Sequence, residues 1–389
     1  DEVAAAERAA ATRLEPRERE VLVVDDRTPM HGLGSGFDRM ADTLLDLASA
    51  GARVRCLATE MPPTYSPVLA RAGIEVLEGP VDGVLASALE RCDVAIVSRP
   101  NNAERVRCVR AEAGPGARPV VIYDAEALYH RRLDRQAALD DEAGAGILRD
   151  QAEYWRATEQ AIAEQVDAVV CVSEDEATFF RQRGVARVHV LTPWLRQART
   201  TSPHLAGRAD VGFVAGWLAG ASSPNGDALQ WFATEVLPEI VAAVPWLRVR
   251  VTGSLPEGLR HLEGPHLRSE GFVPDLAAFY AGLRVAIAPL RFGAGVKLKT
   301  IEAVQHGVPV VATTVGAEGL DGLGAALVVC DEPSAFARAV IDRLLDVRVW
   351  RAHRRHIDAA LEAAPPQTQA WGQLLGTLHT EETSVRRAL

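Results

Sequence analysis

Short apolar runs recur along the chain and alternate with segments whose apolar residues are three or four positions apart. In the first half these runs are Val21–Asp25, Val54–Ala58, Ile74–Leu77, Val94–Ser98, Val120–Tyr123, Ala168–Val172 and Val188–Leu191. Such runs predict buried strands, and the segments between them mostly predict helices. Strands that alternate with helices are typical of parallel sheets covered by helices, so the pattern predicts an α/β fold.

A second alternating series follows residues 196–208, where polar residues, Pro and Gly replace the apolar periodicity. Its predicted strands are Val211–Val214, Arg248–Thr252, Arg268–Gly271, Val285–Ala288, Leu327–Val329 and one beginning at Val310. The polar segment predicts a domain boundary. We therefore predict an N-terminal domain over residues 1–200, a C-terminal domain over 208–364, and a last amphipathic helix within 365–389 that packs back on the first domain.

Length and charge narrow the functional classes. A chain of 389 residues suits two α/β domains, and a net charge of −10 argues against a nucleic-acid-binding protein. No apolar run approaches the roughly 18 to 20 residues of a transmembrane helix. Five scattered cysteines show neither metal-binding nor disulfide spacing, which predicts a cytoplasmic protein. Because the chain begins at Asp1, we expect a piece of a longer polypeptide with further domains.

A glycine-rich turn at residues 291–296 combines several groups that could contact a ligand. It follows a predicted strand and precedes a helix predicted from about Val296, so backbone N–H groups and the positive helix end could bind an anion. Lys297 and Lys299 add two cations, and Glu302 lies one turn further, where it could accept bonds from sugar or ribose hydroxyls. This combination suggests a nucleotide-sugar. The alternative is a plain strand-to-helix connection with two solvated lysines.

The whole motif is more specific than the turn. Residues 292–303 read Phe-Gly-x-Gly-x-Lys-x-Lys-x-x-Glu-Ala, and residues 307–313 read Gly-x-Pro-Val-Val-Ala-Thr. This string resembles the donor-site signature of the family 4 glycosyltransferases, particularly a Gly-Ala-Gly-x-Lys-x-Lys branch found in bacterial polysaccharide and O-antigen clusters. Residues 224–226, 271–275 and 316–320 also match that branch. The resemblance implies the GT-B fold, with two doubly wound Rossmann-like domains facing across a cleft and C-terminal helices that cross back to the first domain.

The resemblance also implies a role for individual residues. Those assigned to the donor are Gly34, Ser35, Gly36, Phe272, Val273, Gly293, Ala294, Gly295, Val296, Lys297, Lys299 and Glu302. The backbone at 272–273 would hold the base, Glu302 the ribose, and Lys297 with the amides of 293–296 the diphosphate. The loop 34–36 would close over the phosphates, although a flexible loop that caps the next helix is the alternative.

The sequence departs from the family pattern at two places. The wider family pairs two glutamates eight positions apart, and the earlier one corresponds to Ala294, which leaves the identity of the donor sugar open. The family also has a basic residue shortly after the first strand of the second domain, whereas residues 216–225 contain no Lys or Arg. Lys297 and Lys299 would then carry more of the phosphate charge.

Carboxylates also follow a predicted strand of the first domain. Many family members have a histidine near the residues that are Tyr123, Asp124 and Glu126 here. A carboxylate at this point could orient an acceptor hydroxyl or act as a base, whereas the alternative for Asp124 is to cap the helix beginning near Ala127. We name Lys297, Asp124 and Glu126 as candidate catalytic residues.

Together with the residues, the resemblance implies a glycosyltransferase that moves a hexosyl or deoxyhexosyl group from a nucleoside-diphosphate-sugar. The acceptor it implies is a glycan or lipid-linked glycan in bacterial cell-surface polysaccharide assembly. Retention of configuration is implied by the resemblance. No metal or cofactor is expected, because the chain has no Asp-x-Asp motif and no His or Cys cluster with ligand spacing. The acceptor could bring the protein to the inner face of the membrane.

Three other functions are considered. A non-catalytic sugar-nucleotide or glycan-binding module of a larger glycan-assembly protein is the main alternative, and a nucleotide-sugar isomerase or epimerase is another. A dinucleotide oxidoreductase is disfavoured, because the glycines at 32, 34 and 36 do not have the Gly-x-Gly-x-x-Gly spacing.

Overall fold

The computed structural model describes residues 19–31, 36–112, 119–193, 205–216, 218–364 and 370–377. The strands are β1 (Glu20–Asp25), β2 (Arg53–Ala58), β3 (Glu75–Val76), β4 (Val94–Ser98), β5 (Val120–Asp124), β6 (Ala168–Cys171), β7 (Val188–Val190), β8 (Asp210–Val214), β9 (Val249–Thr252), β10 (Leu267–Ser269), β11 (Leu283–Ala288), β12 (Val310–Ala312) and β13 (Leu327–Val329).

Helices separate most of these strands. They are α1 (Phe37–Ser49), α2 (Pro67–Arg71), α3 (Val81–Leu89), α4 (Pro100–Glu112), α5 (Tyr129–Ala137), α6 (Glu142–Ala163), α7 (Glu174–Arg181), α8 (Pro224–Trp231), α9 (Leu237–Ala243), α10 (Leu276–Gly282), α11 (Leu298–Gln305), α12 (Pro333–Leu345), α13 (Val347–Ala363) and α14 (370–377). A π-helical segment joins α8 to α9, and 3-10 segments cover Glu257–Leu262 and Asp321–Ala326.

The strands form two sheets with similar topology. The first has the order β3-β2-β1-β4-β5-β6-β7, and the second has the order β10-β9-β8-β11-β12-β13. Every strand pair whose register is described is parallel. In each sheet the first strand is internal, the next strands are added on one side of it, and the later strands are added on its other side, as in doubly wound Rossmann folds. The loops after the central strands therefore lie at the same edge of the sheet. The predicted α/β architecture of two Rossmann-like sheets is confirmed.

The differences from the predicted elements have local causes. The sequence pattern of Asp227–Val244 predicts one helix. In the structure it is interrupted by a π-helical segment at Phe232–Val236, just before Pro238, whose backbone cannot donate a helical hydrogen bond. Residues 140–146, which contain three acidic residues and two glycines, predict a solvated bend, but the bend is shorter than predicted. Asp141 caps α6 by accepting from the Gly144 backbone N–H at 2.8 Å, so residues 142–146 are helical.

The described residues fall into two compact units. One contains 19–28, 43–122 and 370–377, and the other contains Pro29–Asp42 and Tyr123–Thr368 apart from its undescribed residues. Within the first unit, Arg19 Nη1 donates to the Leu375 carbonyl of α14 at 2.6 Å, and Trp371 and Leu375 are buried. The domain boundaries expected from the sequence stay a prediction. None of the described helices is long and apolar enough to cross a bilayer.

Packing fixes helix α11 beside β11 and β12. Its Ile301 and Val304 are buried in the apolar core of the second sheet. On another face, the Thr300 hydroxyl donates to the Gly316 carbonyl at 2.9 Å. The first turn of α11, with the two lysines that flank Leu298, is therefore held at the end of β11.

Candidate functional site

The glycine loop, residues 291–297, connects β11 to α11. Gly293 and Gly295 have φ angles of 144° and 72°, which side-chain-bearing residues rarely adopt. A Cβ on Gly295 would lie 2.7 Å from the Glu126 carbonyl oxygen and 3.0 Å from the Ala127 Cβ. Glycine is therefore required at 295 both by the backbone conformation and by the close approach of the segment after β5.

Lys297 is buried at the end of the glycine loop. It adopts an extended backbone, so α11 begins at Leu298 and not at the predicted Val296. Its Nζ donates to the Gly295 carbonyl at 2.5 Å and lies 3.0 Å from Glu318 Oε2. Burial lowers the pKa of Lys297, and the Glu318 carboxylate opposes this shift. The ammonium is thus held inside the loop by two oxygen acceptors.

Lys299 reaches the region after β8 that lacks basic residues of its own. Its Nζ donates to Asn225 Oδ1 at 2.5 Å and lies 4.8 Å from the centroid of the Phe213 ring. Burial, together with the charge of Lys297, lowers the pKa of Lys299 to about 7. A cation from α11 therefore lies beside β8 and α8.

Glu302 follows Lys299 by one turn and is half-buried. The Tyr280 hydroxyl donates to Glu302 Oε2 at 3.0 Å and is 3.4 Å from the Lys299 carbonyl oxygen. Burial raises the pKa of Glu302 to about 7, and the charge of Asp38 acts in the same direction. At neutral pH this carboxyl group is therefore present in both protonation states.

Glu318, which the sequence reasoning did not single out, lies at the centre of the charged cluster. Arg135 donates to both of its carboxylate oxygens at 2.8 Å and also to the Gly293 carbonyl at 2.7 Å. Arg131 lies 3.7 Å away. Although burial opposes the shift, Arg135 and Lys297 hold the pKa of Glu318 below its ordinary value. Glu318 could have been found from its position in the 316–320 motif, whereas no motif contains Arg135.

Glu176 is a second buried carboxyl group near this cluster. Its Oε1 accepts from the Leu128 backbone N–H at 3.3 Å. Burial raises the pKa of Glu176 to about 8, with a further contribution from the charge of Glu318. The Ser173 hydroxyl accepts from the Glu176 backbone N–H and so caps α7, as a serine just before an acidic first helical turn predicts.

The predicted acceptor-side carboxylates have different surroundings. Asp124 is fully buried, and Arg39 donates to its Oδ2 at 2.5 Å. Helix α5 begins at Tyr129 with no side-chain cap, so the alternative in which Asp124 caps this helix is wrong. Glu126 is half-buried, and a Cβ on Gly36 would overlap its Oε1. Gly34 and Ser35 lie outside the described residues.

The residues predicted to hold the base follow β10. Phe272 is 75% exposed, whereas Val273 packs against the core of the second sheet. The preceding Gly271 accepts from the Gly253 backbone N–H at 2.7 Å. No hydrogen bond of the described residues joins Phe272 or Val273 to the glycine loop, and their role stays a prediction.

Lysine usage is a signal that the sequence reasoning missed. The chain contains only two lysines, Lys297 and Lys299, and its other 40 basic residues are arginine. Lysine is a compact charge that can lose its proton when buried, whereas arginine stays charged and needs room for a planar fork. Both lysines therefore lie where a small, titratable cation fits.

Comparisons with known proteins agree with this geometry. Residues 212–346, which include β8 and the glycine loop, match the family model "Glycosyl transferases group 1". One curated relative, an uncharacterised 44.6 kDa protein in the cps region of Klebsiella pneumoniae, is 28% identical over 129 residues. That match covers 30% of this chain and only about a third, 33%, of the relative.

Solved structures resemble a larger part of the chain. Sucrose-phosphate synthase from Thermosynechococcus elongatus is 16% identical with a TM-score of 0.65, covering 94% of this chain and 100% of that one. Anabaena HepE in complex with UDP and glucose is 13% identical with a TM-score of 0.63, covering 93% and 100%. S. aureus TarM, in a structure with UDP, is 12% identical with a TM-score of 0.57, covering 76% and 58%. The chain thus has the GT-B fold, and its residues 212–346 are similar to the group 1 glycosyl transferases.

Proposed function

We propose that the protein transfers a sugar from a nucleoside-diphosphate-sugar to a hydroxyl group of a glycan. The observation that carries this proposal is the placement of the chain's two lysines, Lys297 buried and Lys299 half-buried, on either side of the first residue of α11. A flexible surface connection would leave such lysines solvated. Here each ammonium group is held by oxygen acceptors inside the protein.

The lysines would stabilise the departing nucleoside diphosphate. Negative charge on the leaving group grows as the bond to the sugar breaks, so fixed cations stabilise the transition state more than the bound substrate. Lys297 and Lys299 would provide these cations, and the amides of Gly293, Ala294, Gly295 and Val296 would donate hydrogen bonds to the phosphates. Glu302 would bind the ribose hydroxyls. This arrangement supports a reaction that needs no metal ion.

The acceptor side is assigned to Glu126 more readily than to Asp124. Asp124 is buried and bound to Arg39, which suits a supporting role. Glu126 is half-buried and its carbonyl lies beside Gly295, so its side chain could orient an acceptor hydroxyl. Retention of configuration is part of the proposal and comes from the family 4 resemblance.

The substrates are proposed from the relatives. HepE was crystallised with UDP and glucose, and TarM with UDP and α-GlcNAc-glycerol. A UDP-hexose is therefore the first donor to test. We also propose a glycan or lipid-linked glycan as the acceptor, in cell-surface polysaccharide assembly at the inner face of the membrane. The similarity to a protein of a cps region supports the link to polysaccharide assembly.

A donor screen tests this function. The protein is incubated with UDP-, GDP- and dTDP-sugars, with and without oligosaccharide acceptors and with EDTA, and released nucleotide is measured. Transfer or slow donor hydrolysis that needs Lys297 is expected with one nucleotide class. Binding without either reaction would favour the non-catalytic module, and conversion of the donor without an acceptor would favour an isomerase or epimerase.

A further inference from the structure

The Arg135–Glu318 ion pair contacts the glycine loop at two points. Arg135 donates to the Gly293 carbonyl at 2.7 Å, and Glu318 Oε2 lies 3.0 Å from Lys297 Nζ. The pair itself is bidentate, with both N–O distances at 2.8 Å. Glu318 is nearly inaccessible to solvent, whereas Arg135 is partly exposed. The pair therefore reaches the loop from helix α5 on one side and from residues 316–320 on the other.

We propose that Glu318 and Arg135 are positioning residues that fix the place and the charge of Lys297 for a pyrophosphate ligand. Glu318 holds the ammonium beside the loop. Arg135 binds both oxygens of Glu318, so that the carboxylate does not cancel the charge of Lys297. This inference rests on the proposed function and assigns the loop two residues from outside its own sequence.

The charge balance supports this role. Glu318 faces Lys297, Arg135 and, at 3.7 Å, Arg131, whose nearer partner is Asp175 at 3.2 Å, so three cations face two carboxylates. Glu176 is close enough to act on Lys297 electrostatically, as Lys297 does on Lys299. A buried lysine without a carboxylate neighbour tends to lose its proton, and one paired only with a carboxylate is neutralised. The cluster avoids both results and leaves excess positive charge for an anion.

A purely structural role for the ion pair is the competing explanation. Such a pair would hold α5 against the glycine loop and stabilise the fold. Removing the carboxylate and removing the guanidinium would then not shift the pKa of Lys297 in opposite directions. The two explanations differ because the two partners act on Lys297 in opposite directions. Burial apart, the Glu318 carboxylate raises the pKa of Lys297, and the Arg135 guanidinium lowers it.

The lysine content makes this difference measurable. Protein labelled with ¹³C-lysine gives ε-methylene signals from two residues only, and a Lys299→Arg variant assigns them. In Glu318→Gln the titration midpoint of Lys297 should move to lower pH by about one unit or more, as for loss of a close opposite charge. In Arg135→Gln it should move to higher pH. Arg156→Gln, which breaks a partly exposed ion pair between α6 and Asp134 of α5, should leave the Lys297 midpoint unchanged.

Nucleotide binding then tests the link to the ligand. At pH 8.5, Glu318→Gln and Arg135→Gln should each weaken UDP binding about tenfold, because one lowers the pKa of Lys297 further and the other removes a positive charge from the cluster. In a Lys297→Met background, Glu318→Gln should have little further effect, since its influence passes through Lys297. Thermal unfolding of each variant shows that it is folded.

The outcomes separate the two proposals. Opposite shifts of the Lys297 signal together with non-additive UDP binding support the positioning role. The positioning role is overturned if the Lys297 signal does not shift or shifts in the same direction in both variants. It is also overturned if Glu318→Gln weakens UDP binding as much in the Lys297→Met background as in wild type. In either case the proposed function stands as long as UDP binds. If Glu318→Gln does not fold, the upward shift in Arg135→Gln decides alone. Opposite shifts in a protein that binds no nucleoside diphosphate overturn the pyrophosphate assignment and the proposed function together.

Discussion

Lys297 and Lys299 lie two positions apart, yet their ammonium groups have different surroundings. Lys297 faces a carboxylate and a backbone carbonyl, whereas Lys299 faces the Asn225 amide oxygen and the ring of Phe213. Only Lys297 has a carboxylate partner, and this partner opposes the lowering of its pKa by burial. The two ammonium groups are therefore stabilised in different ways, and Lys299 is the one whose charge varies near neutral pH.

Removing the ammonium of Lys297 should reduce catalysis. Lys297→Ala is expected to lower kcat by roughly 100-fold, the usual cost of losing one group that stabilises developing charge. Initial rates with the donor found in the screen measure this effect. Arg156→Gln is the control for loss of a positive charge elsewhere on the protein. A kcat within twofold of the wild-type value would contradict the assignment.

Lys299 should make donor affinity depend on pH. Its pKa is lowered by burial to about 7, so the charged form that attracts a diphosphate is lost as the pH rises through this value. The Kd for a UDP-sugar, whose pyrophosphate does not titrate near neutrality, should therefore increase from pH 6 to pH 8. Lys299→Arg, which stays charged, should flatten this dependence. Because Glu302 titrates in the same range, the measurement is repeated in Glu302→Gln. A Kd that is constant over this range in both backgrounds would exclude the proposed role.

Glu176 should make stability depend on pH. Its pKa is about 8 in the folded protein, raised mainly by burial above the ordinary value of 4.5. Unfolding therefore releases a proton between these values, so stability falls as the pH rises from about 4.5 to about 8. Glu176→Gln, which cannot ionise, should be more stable than wild type at pH 8 by about 2 kcal/mol or more and similar to it at pH 4. Urea unfolding at the two pH values tests this, and equal differences at both would show that Glu176 does not titrate in this range.

At the scale of elements, most of the fold follows from local patterns. Apolar runs located the strands because burial on both faces of a parallel sheet requires them. The contacts of the glycine loop could not be found in this way. Arg135 is 183 positions from Glu318, and nothing in the periodicity of α5 indicates which side chain will reach the loop. Motif resemblance located the lysines, but the pairing that holds them depends on tertiary packing.

The shape of the glycine loop should depend on Gly295. Gly295→Ala places a Cβ 2.7 Å from the Glu126 carbonyl oxygen in a backbone conformation with positive φ. The strain should cost about 1 to 3 kcal/mol and weaken UDP binding. Gly258→Ala is the matched control, because its Cβ would meet no atom within 4 Å and its φ is not in the strained range. Calorimetry of unfolding and binding compares the two variants, and equal effects would show that the loop tolerates a side chain at 295.

At the scale of the whole molecule, all of the described residues assigned to the proposed reaction belong to one compact unit. This unit contains Pro29–Asp42 and Tyr123–Thr368. It therefore includes the second sheet as well as the segments around Glu126 and Arg135. A donor that contacts these groups should slow amide exchange at 126–135, 292–303 and 316–320. Strands β1 and β2, whose residues belong to the other unit, should exchange at the same rate with and without donor. Hydrogen–deuterium exchange with and without UDP measures this, with the Lys297→Met variant as the control for non-specific stabilisation. Protection confined to β1 and β2 would place the nucleotide away from the lysines, because local protection reports where a ligand suppresses opening of the structure.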